Sequence, residues 1–111
     1  MSFVGCKAAD FRSVDAETFA QVIEDTTVVR LDVRTANEYT QGHIPNALLI
    51  DVTQADFMQK AEQLLPKDKT MALYCRAGRR SKKAAMQLAQ HGYQVVELNT
   101  GFNSWKGEVE Q

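Results

Sequence analysis

Short apolar runs and helix-spaced segments alternate along the chain. Residues 11–14 form a brief first strand. Residues 15–23 follow with helical spacing, placing Phe19, Val22 and Ile23 on one face, with Ser13 or Asp15 as N-cap. Residues 28–33 are β-branched and mostly apolar, the pattern of a buried strand. Residues 35–41 predict a short helix stopped by Gly42, and residues 47–50 a brief strand introduced by Pro45. Residues 54–65 predict a helix whose apolar stripe is Phe57, Ala61, Leu64 and Leu65. Pro66 ends it, and a polar turn at 67–69 leads into a strand at 70–74. The next helix starts at Arg80 or Ser81 and ends at His91. Ala84, Ala85, Leu88 and Ala89 are its packing side, and Gly92 caps its end. Residues 93–98 are the last strand, and residues 101–106 add one or two helical turns.

Strands separated by helices pair in parallel through right-handed crossovers. The pattern therefore predicts an α/β layered fold: a mostly parallel sheet of about five strands with helices on both faces. Functional sites in such sheets lie beyond the carboxyl ends of the strands. Cys75 stands at one such end, and Asp32-Val33-Arg34 leaves another. A length of 111 residues fits one domain, residues 1–111 with a core over about 11–107.

The 13 basic and 14 acidic residues give a net charge of −1. That balance argues against a dedicated nucleic-acid binder, whose phosphate contacts need a basic excess. No apolar run reaches the ~20 residues of a membrane span, so no membrane partner is expected. The first ten residues lack a basic region followed by an apolar one, so no signal peptide is visible. Val4-Gly5-Cys6 resembles the end of a lipoprotein cleavage site but lacks the apolar stretch before it. A cytoplasmic location is expected, with an export signal removed upstream left open. Cys6 and Cys75 make no disulfide framework, and a reducing compartment is the simpler reading. The two cysteines and two histidines lack zinc-ligand spacing, so neither metal nor cofactor is expected.

The chemistry concentrates in Cys75-Arg76-Ala77-Gly78-Arg79-Arg80-Ser81, between a strand and a helix N-terminus. The reactive species of cysteine is the thiolate, a few per cent populated at pH 7 for an ordinary thiol. A helix N-terminus and adjacent cations favour that form. Arg76, Arg79 and Arg80 supply charge, and the amides of Ala77 to Ser81 can curl into an anion nest that Gly78 permits. A buried cysteine is often only a small core residue. Three arginines and a glycine in five positions point instead to an anion held among them.

This loop resembles the active-site loop of single-domain rhodanese-like sulfurtransferases. Asp32-Val33-Arg34, with Glu38-Tyr39 and Gly42-His43-Ile44-Pro45, resembles that family's upstream motif. Residues 98–107, ending Gly101-Phe102-Asn103-Ser104-Trp105-Lys106-Gly107, resemble its C-terminal motif. Asn46 and Thr100 stand where the family commonly has glycine. Asn tolerates left-handed backbone; β-branched Thr does not, so the backbone at Thr100 is expected to differ. The resemblance implies a rhodanese-like fold and a persulfide shuttle. Cys75 would take sulfane sulfur from a small anionic donor such as thiosulfate and pass it to cyanide or a thiol. Arg76, Ala77, Gly78, Arg79, Arg80 and Ser81 would bind the donor, with the arginines as electrostatic binders.

Cysteine-dependent phosphatases also cradle a cysteine, with an arginine six positions on. Here the sixth position is Ser81, and no general acid for a phosphate leaving group is evident. Asp32, Arg34, Glu38 and His43 are expected to be structural support: Arg34 pairing with Glu38 across one helical turn, His43 bonding backbone to set a turn. His91 at a helix end needs no catalytic role. Phe102 and Trp105 are expected to cover the sheet edge. Cys6 could accept sulfur from Cys75 if the N-terminus reached it. Two other readings stay open: a persulfide carrier or interaction module that delivers sulfur to a protein partner, and a purely binding domain whose Cys75 titrates near 8.5.

Overall fold

The computed structural model describes residues 10–111. The element order is β1 (Arg12–Val14), α1 (Ala16–Val22), β2 (Val29–Asp32), α2 (Ala36–Gln41), β3 (Leu48–Leu49), α3 (Phe57–Leu64), β4 (Thr70–Tyr74), α4 (Arg79–Gln90), β5 (Gln94–Leu98) and a 3₁₀ turn at Phe102–Ser104. The five strands pair in the order β1-β5-β4-β2-β3, every pair parallel. The fold is of the α/β class. Cys6 lies outside the described residues.

β4 is the central strand and is buried on both faces, which is why residues 70–74 read as an unbroken apolar run. Its alternate side chains feed two cores. Met71, Leu73 and Cys75 join Phe57, Ala61 and Leu65 of the α3 segment and Ala84, Ala85 and Leu88 of α4. Ala72 and Tyr74 join Phe19 of α1 and Ile44, with Tyr39 of α2, Phe102 and Trp105 packed against them. The small residues on α4 bring that helix close to the sheet. Phe19 makes edge-on contacts with both Tyr74 and Trp105.

Local signals account for most boundaries. Asp15 caps α1 by accepting from the Thr18 amide, and Thr35 and Glu38 form a reciprocal capping box at α2. Two expectations are corrected. Residues 54–56 are turn rather than helix, because Asp51 draws in the Thr53 amide and hydroxyl and Gln54 closes a turn back to Asp51. Leu64 is 55 % exposed, so the buried stripe of α3 is Phe57, Ala61 and Leu65. No helix among the described residues is long and apolar enough to cross a membrane.

Candidate active site

Cys75 directly follows the central strand, and α4 begins four residues later. The intervening loop turns back on the sulfur. The Gly78 amide donates to Sγ at 3.1 Å, and Sγ lies 3.4 Å from the Ser81 hydroxyl. Cys75 is 1 % exposed, yet its sulfur faces amides and a hydroxyl rather than hydrocarbon alone. Burial pushes the thiol up; the Ser81 hydroxyl and the Ser81, Gly78 and Ala77 amides pull it down. The net direction is below the ordinary value.

Two close approaches hold this curl. Gly78 has φ 105°, and a Cβ there would sit 2.0 Å from the Asn99 carbonyl oxygen. Gly101 has φ 70°, and its Cβ would sit 2.3 Å from the Arg76 carbonyl oxygen. The segment after β5 thus clasps the loop from behind. Phe102 donates its amide to the Cys75 carbonyl at 2.8 Å, and Asn103 donates to that of Arg76 at 3.0 Å. The C-terminal motif therefore shapes the cradle through the loop backbone, with no hydrogen bond to Sγ among the described residues. Gly101 takes the positive φ, whereas Thr100 has none and bonds the Ser104 hydroxyl instead. Asn46 adopts φ 68°, the left-handed form its short amide tolerates.

The charged residues are arranged differently from the sequence expectation. Arg34 pairs with Asp32, not with Glu38: Asp32 Oδ1 accepts from the Arg34 amide and Nε, and Oδ2 from the guanidinium at 2.7 Å. A further bond runs from the Arg34 guanidinium to the Gly42 carbonyl, and Phe102 lies 4.4 Å under the guanidinium. The local i,i+4 pair loses because a two-residue Asp-x-Arg turn buries a bidentate contact, while Glu38 is claimed by the loop. Glu38 accepts from Arg80 at 2.8 and 2.9 Å and from Arg76 at 3.0 Å. The Arg80 guanidinium, with Thr35 and Arg76, holds the Glu38 carboxyl well below the usual carboxylate range, and Arg80 is raised in turn. Two of the three loop arginines are thus partly neutralised. Arg79 makes no hydrogen bond or ion pair among the described residues and is exposed. A cleft of about 210 Å³ opens beside the loop between Arg34, Glu38, Arg76, Phe102 and Asn103. A larger hollow of about 630 Å³ lies at the starts of β4 and β5, the sheet end opposite Cys75.

His43 bonds the Tyr39 carbonyl through Nδ1 at 2.8 Å and stacks on the Tyr39 ring. Its backbone pairs with that of Glu110 in an antiparallel bridge. Sequence reading missed one member of this region. Glu97, in β5, is fully buried and accepts from the Ser81 hydroxyl at 2.5 Å. A carboxylate at a core-facing position between Val96 and Leu98 of an inner strand was the available signal. No group of three or more candidate metal ligands clusters among the described residues.

Residues 15–108 match the family model described as rhodanese-like domain. A sulfurtransferase of Allochromatium vinosum is 36 % identical over 94 residues, covering 83 % of this chain and 85 % of the relative. A thiosulfate sulfurtransferase of Coxiella burnetii is 30 % identical, covering 78 % of each. The crystal structure of a rhodanese-related protein from Thermoplasma volcanium superposes with a TM-score of 0.75 at 29 % identity, over 90 % of this chain and 98 % of that one.

Proposed function

The chain belongs to the rhodanese-like sulfurtransferase family, and from that premise we propose that it moves sulfane sulfur through a persulfide on Cys75. The observation that carries this reading is the Gly78 amide aimed at Sγ in a loop that draws the thiol toward thiolate. Thiosulfate is the proposed donor and cyanide or a small thiol the acceptor, which are also the substrates that the sequence resemblance implies.

Cys75 Sγ, as thiolate, attacks the outer sulfur of thiosulfate. The bond between that sulfur and the sulfite sulfur breaks, and its electron pair leaves with sulfite. The new S–S bond leaves a Cys75 persulfide with its negative charge on the outer sulfur. Cyanide carbon then attacks the outer sulfur, the S–S bond breaks, and the pair returns to Sγ as thiocyanate departs. The two half-reactions give a ping-pong scheme. Loop amides that held the thiolate stay close to the persulfide, and the exposed Arg79 offers charge to the incoming dianion. Arg76 and Arg80 fix the loop against α2 through Glu38 and contribute less charge to the donor.

The test has two arms. Thiosulfate should add ~32 Da, about the mass of one sulfur, to the intact protein, and cyanide should remove it with release of thiocyanate. Both should vanish in Cys75→Ala. Loading from thiosulfate with slow discharge to cyanide but fast discharge to a protein thiol would instead favour the carrier reading. Turnover that survives in Cys75→Ala removes the mechanism.

A further inference from the structure

Glu97 sits on β5, an inner strand, with no exposed surface. Three donors serve it. Ser13 of the edge strand β1 donates to Oε1 at 2.5 Å, and Ser81 and Lys82 of α4 donate to Oε2 at 2.5 and 3.2 Å. Ser81 is itself fully buried and lies between Glu97 and the sulfur, 3.4 Å from Sγ. A hydroxyl has one proton to give, and a carboxylate accepts only. With the Ser81 proton committed to Glu97, only the oxygen lone pairs of Ser81 face Cys75. In this arrangement Ser81 accepts a bond from the thiol, and its hydroxyl supports the thiolate only once the O–H turns to Sγ.

We propose that Glu97 is a positioning residue that restrains ionisation of Cys75 by holding the Ser81 hydroxyl, and that Ser13 sets how firmly it holds. When the Cys75 proton leaves to water, the Ser81 O–H must turn from Oε2 to Sγ. Glu97 then keeps Lys82 on Oε2 and Ser13 on Oε1, the donors that make the turn affordable. Lys82 also bonds the Gly78 and Asn99 carbonyls, so the same cation that serves Glu97 ties the loop to the end of β5. The remaining charges that act on Cys75 come from other elements. Arg80 of α4 feels the Cys75 charge, with Glu38 of α2 and Asp51 after β3 beside that guanidinium; Arg76 and Arg79 lie on the loop itself. None of these reaches Ser81 or Glu97 by a hydrogen bond, so the Ser13–Glu97–Ser81–Cys75 chain is separable from them. The proposal rests on Cys75 being the working thiol, but its readout is ionisation and needs no sulfur transfer.

The experiment is the pH dependence of iodoacetamide alkylation at Cys75, read on the Cys75 peptide by mass spectrometry in the full chain. In Glu97→Gln the carboxylate charge is gone, and a neutral amide holds Ser81 less strongly. The apparent pKa should fall by about one pH unit, about tenfold more thiolate at low pH. In Ser13→Ala, Glu97 loses a donor and holds Ser81 harder, so the apparent pKa should rise by several tenths of a pH unit. Ser13 is exposed on an edge strand and lies outside the loop, so a purely structural role predicts no change there. In a Ser81→Ala background the Ser13→Ala effect should disappear. An unchanged or raised pKa in folded Glu97→Gln overturns the proposal. Should Glu97→Gln fail to fold, an unchanged pKa in Ser13→Ala overturns it alone. A protein that alkylates as expected yet makes no thiocyanate keeps this inference and loses the proposed function.

Discussion

Arg80 grips both carboxylate oxygens of Glu38, across 42 residues of chain. The pair joins the N-terminus of α4 to α2, and Arg76 adds a third bond from the loop to the same carboxylate. The loop is therefore braced from its solvent side by a charge contact and from its inner side by the segment after β5.

Glu38→Gln should lower stability by about 1–2 kcal/mol at pH 7, the usual worth of charge-assisted bonds lost from a partly buried site. The folded-state pKa of Glu38 is depressed, so its contribution is present above the unfolded value of about 4.3 and is lost as pH falls toward the folded value. Urea unfolding of the wild type and Glu38→Gln should thus differ at pH 7 and converge as pH drops below about 4. A gap that stays constant down to pH 3 would show that the contact carries no such linkage.

Asp32→Asn should be costlier. Arg34 is 3 % exposed, and among the described residues Asp32 supplies its only carboxylate contact. Removing one charge of a buried pair strands the other, an effect of about 3 kcal/mol. Denaturant midpoints at pH 7 measure it, and a loss under 1 kcal/mol contradicts the assignment.

Gly78→Ala meets both a left-handed backbone and the Asn99 carbonyl oxygen 2.0 Å from the new Cβ. The expected loss is about 2–3 kcal/mol. The loop must also shift, taking the Gly78 amide away from Sγ, so Cys75 alkylation near neutral pH should slow. Unchanged alkylation in a destabilised variant would separate the fold from the thiol.

Arg79→Ala should leave stability within about 0.5 kcal/mol, because Arg79 has no partner among the described residues. On the proposed function its charge is offered to the donor. KM for thiosulfate should rise about threefold with kcat unchanged, consistent with a solvent-screened contact, and the effect should shrink at high salt. A change in kcat alone would place Arg79 elsewhere in the reaction.

Cys75 links pH to stability in the same direction, over a higher pH range. Its folded-state pKa lies below the ordinary thiol value, so the thiolate's stabilising contribution is complete above that ordinary value and is lost as pH falls through the folded one. Unfolding free energy should therefore rise with pH over the interval between the two, and Cys75→Ser should flatten that rise.

The sequence by itself determined the order of strands and helices, the layered α/β class and the placing of Cys75 beyond a strand end. These follow from features that act within a few residues: apolar spacing, the Asp15 and Thr35 caps, the uninterrupted run at 70–74, and a glycine three positions after the cysteine. The sulfur's amide partner was legible for the same reason, since Gly78 is local to it. Only the tertiary structure decided which charges meet. Glu38 belongs to Arg80 and Arg76 rather than to its helical neighbour Arg34, and Glu97 reaches Cys75 through Ser81. Parallel crossovers bring Glu38 of α2 to the loop from 42 residues away and Glu97 of β5 from 16. Electrostatic pairing then follows distance in space and freedom from water, neither of which is written in the spacing of the chain.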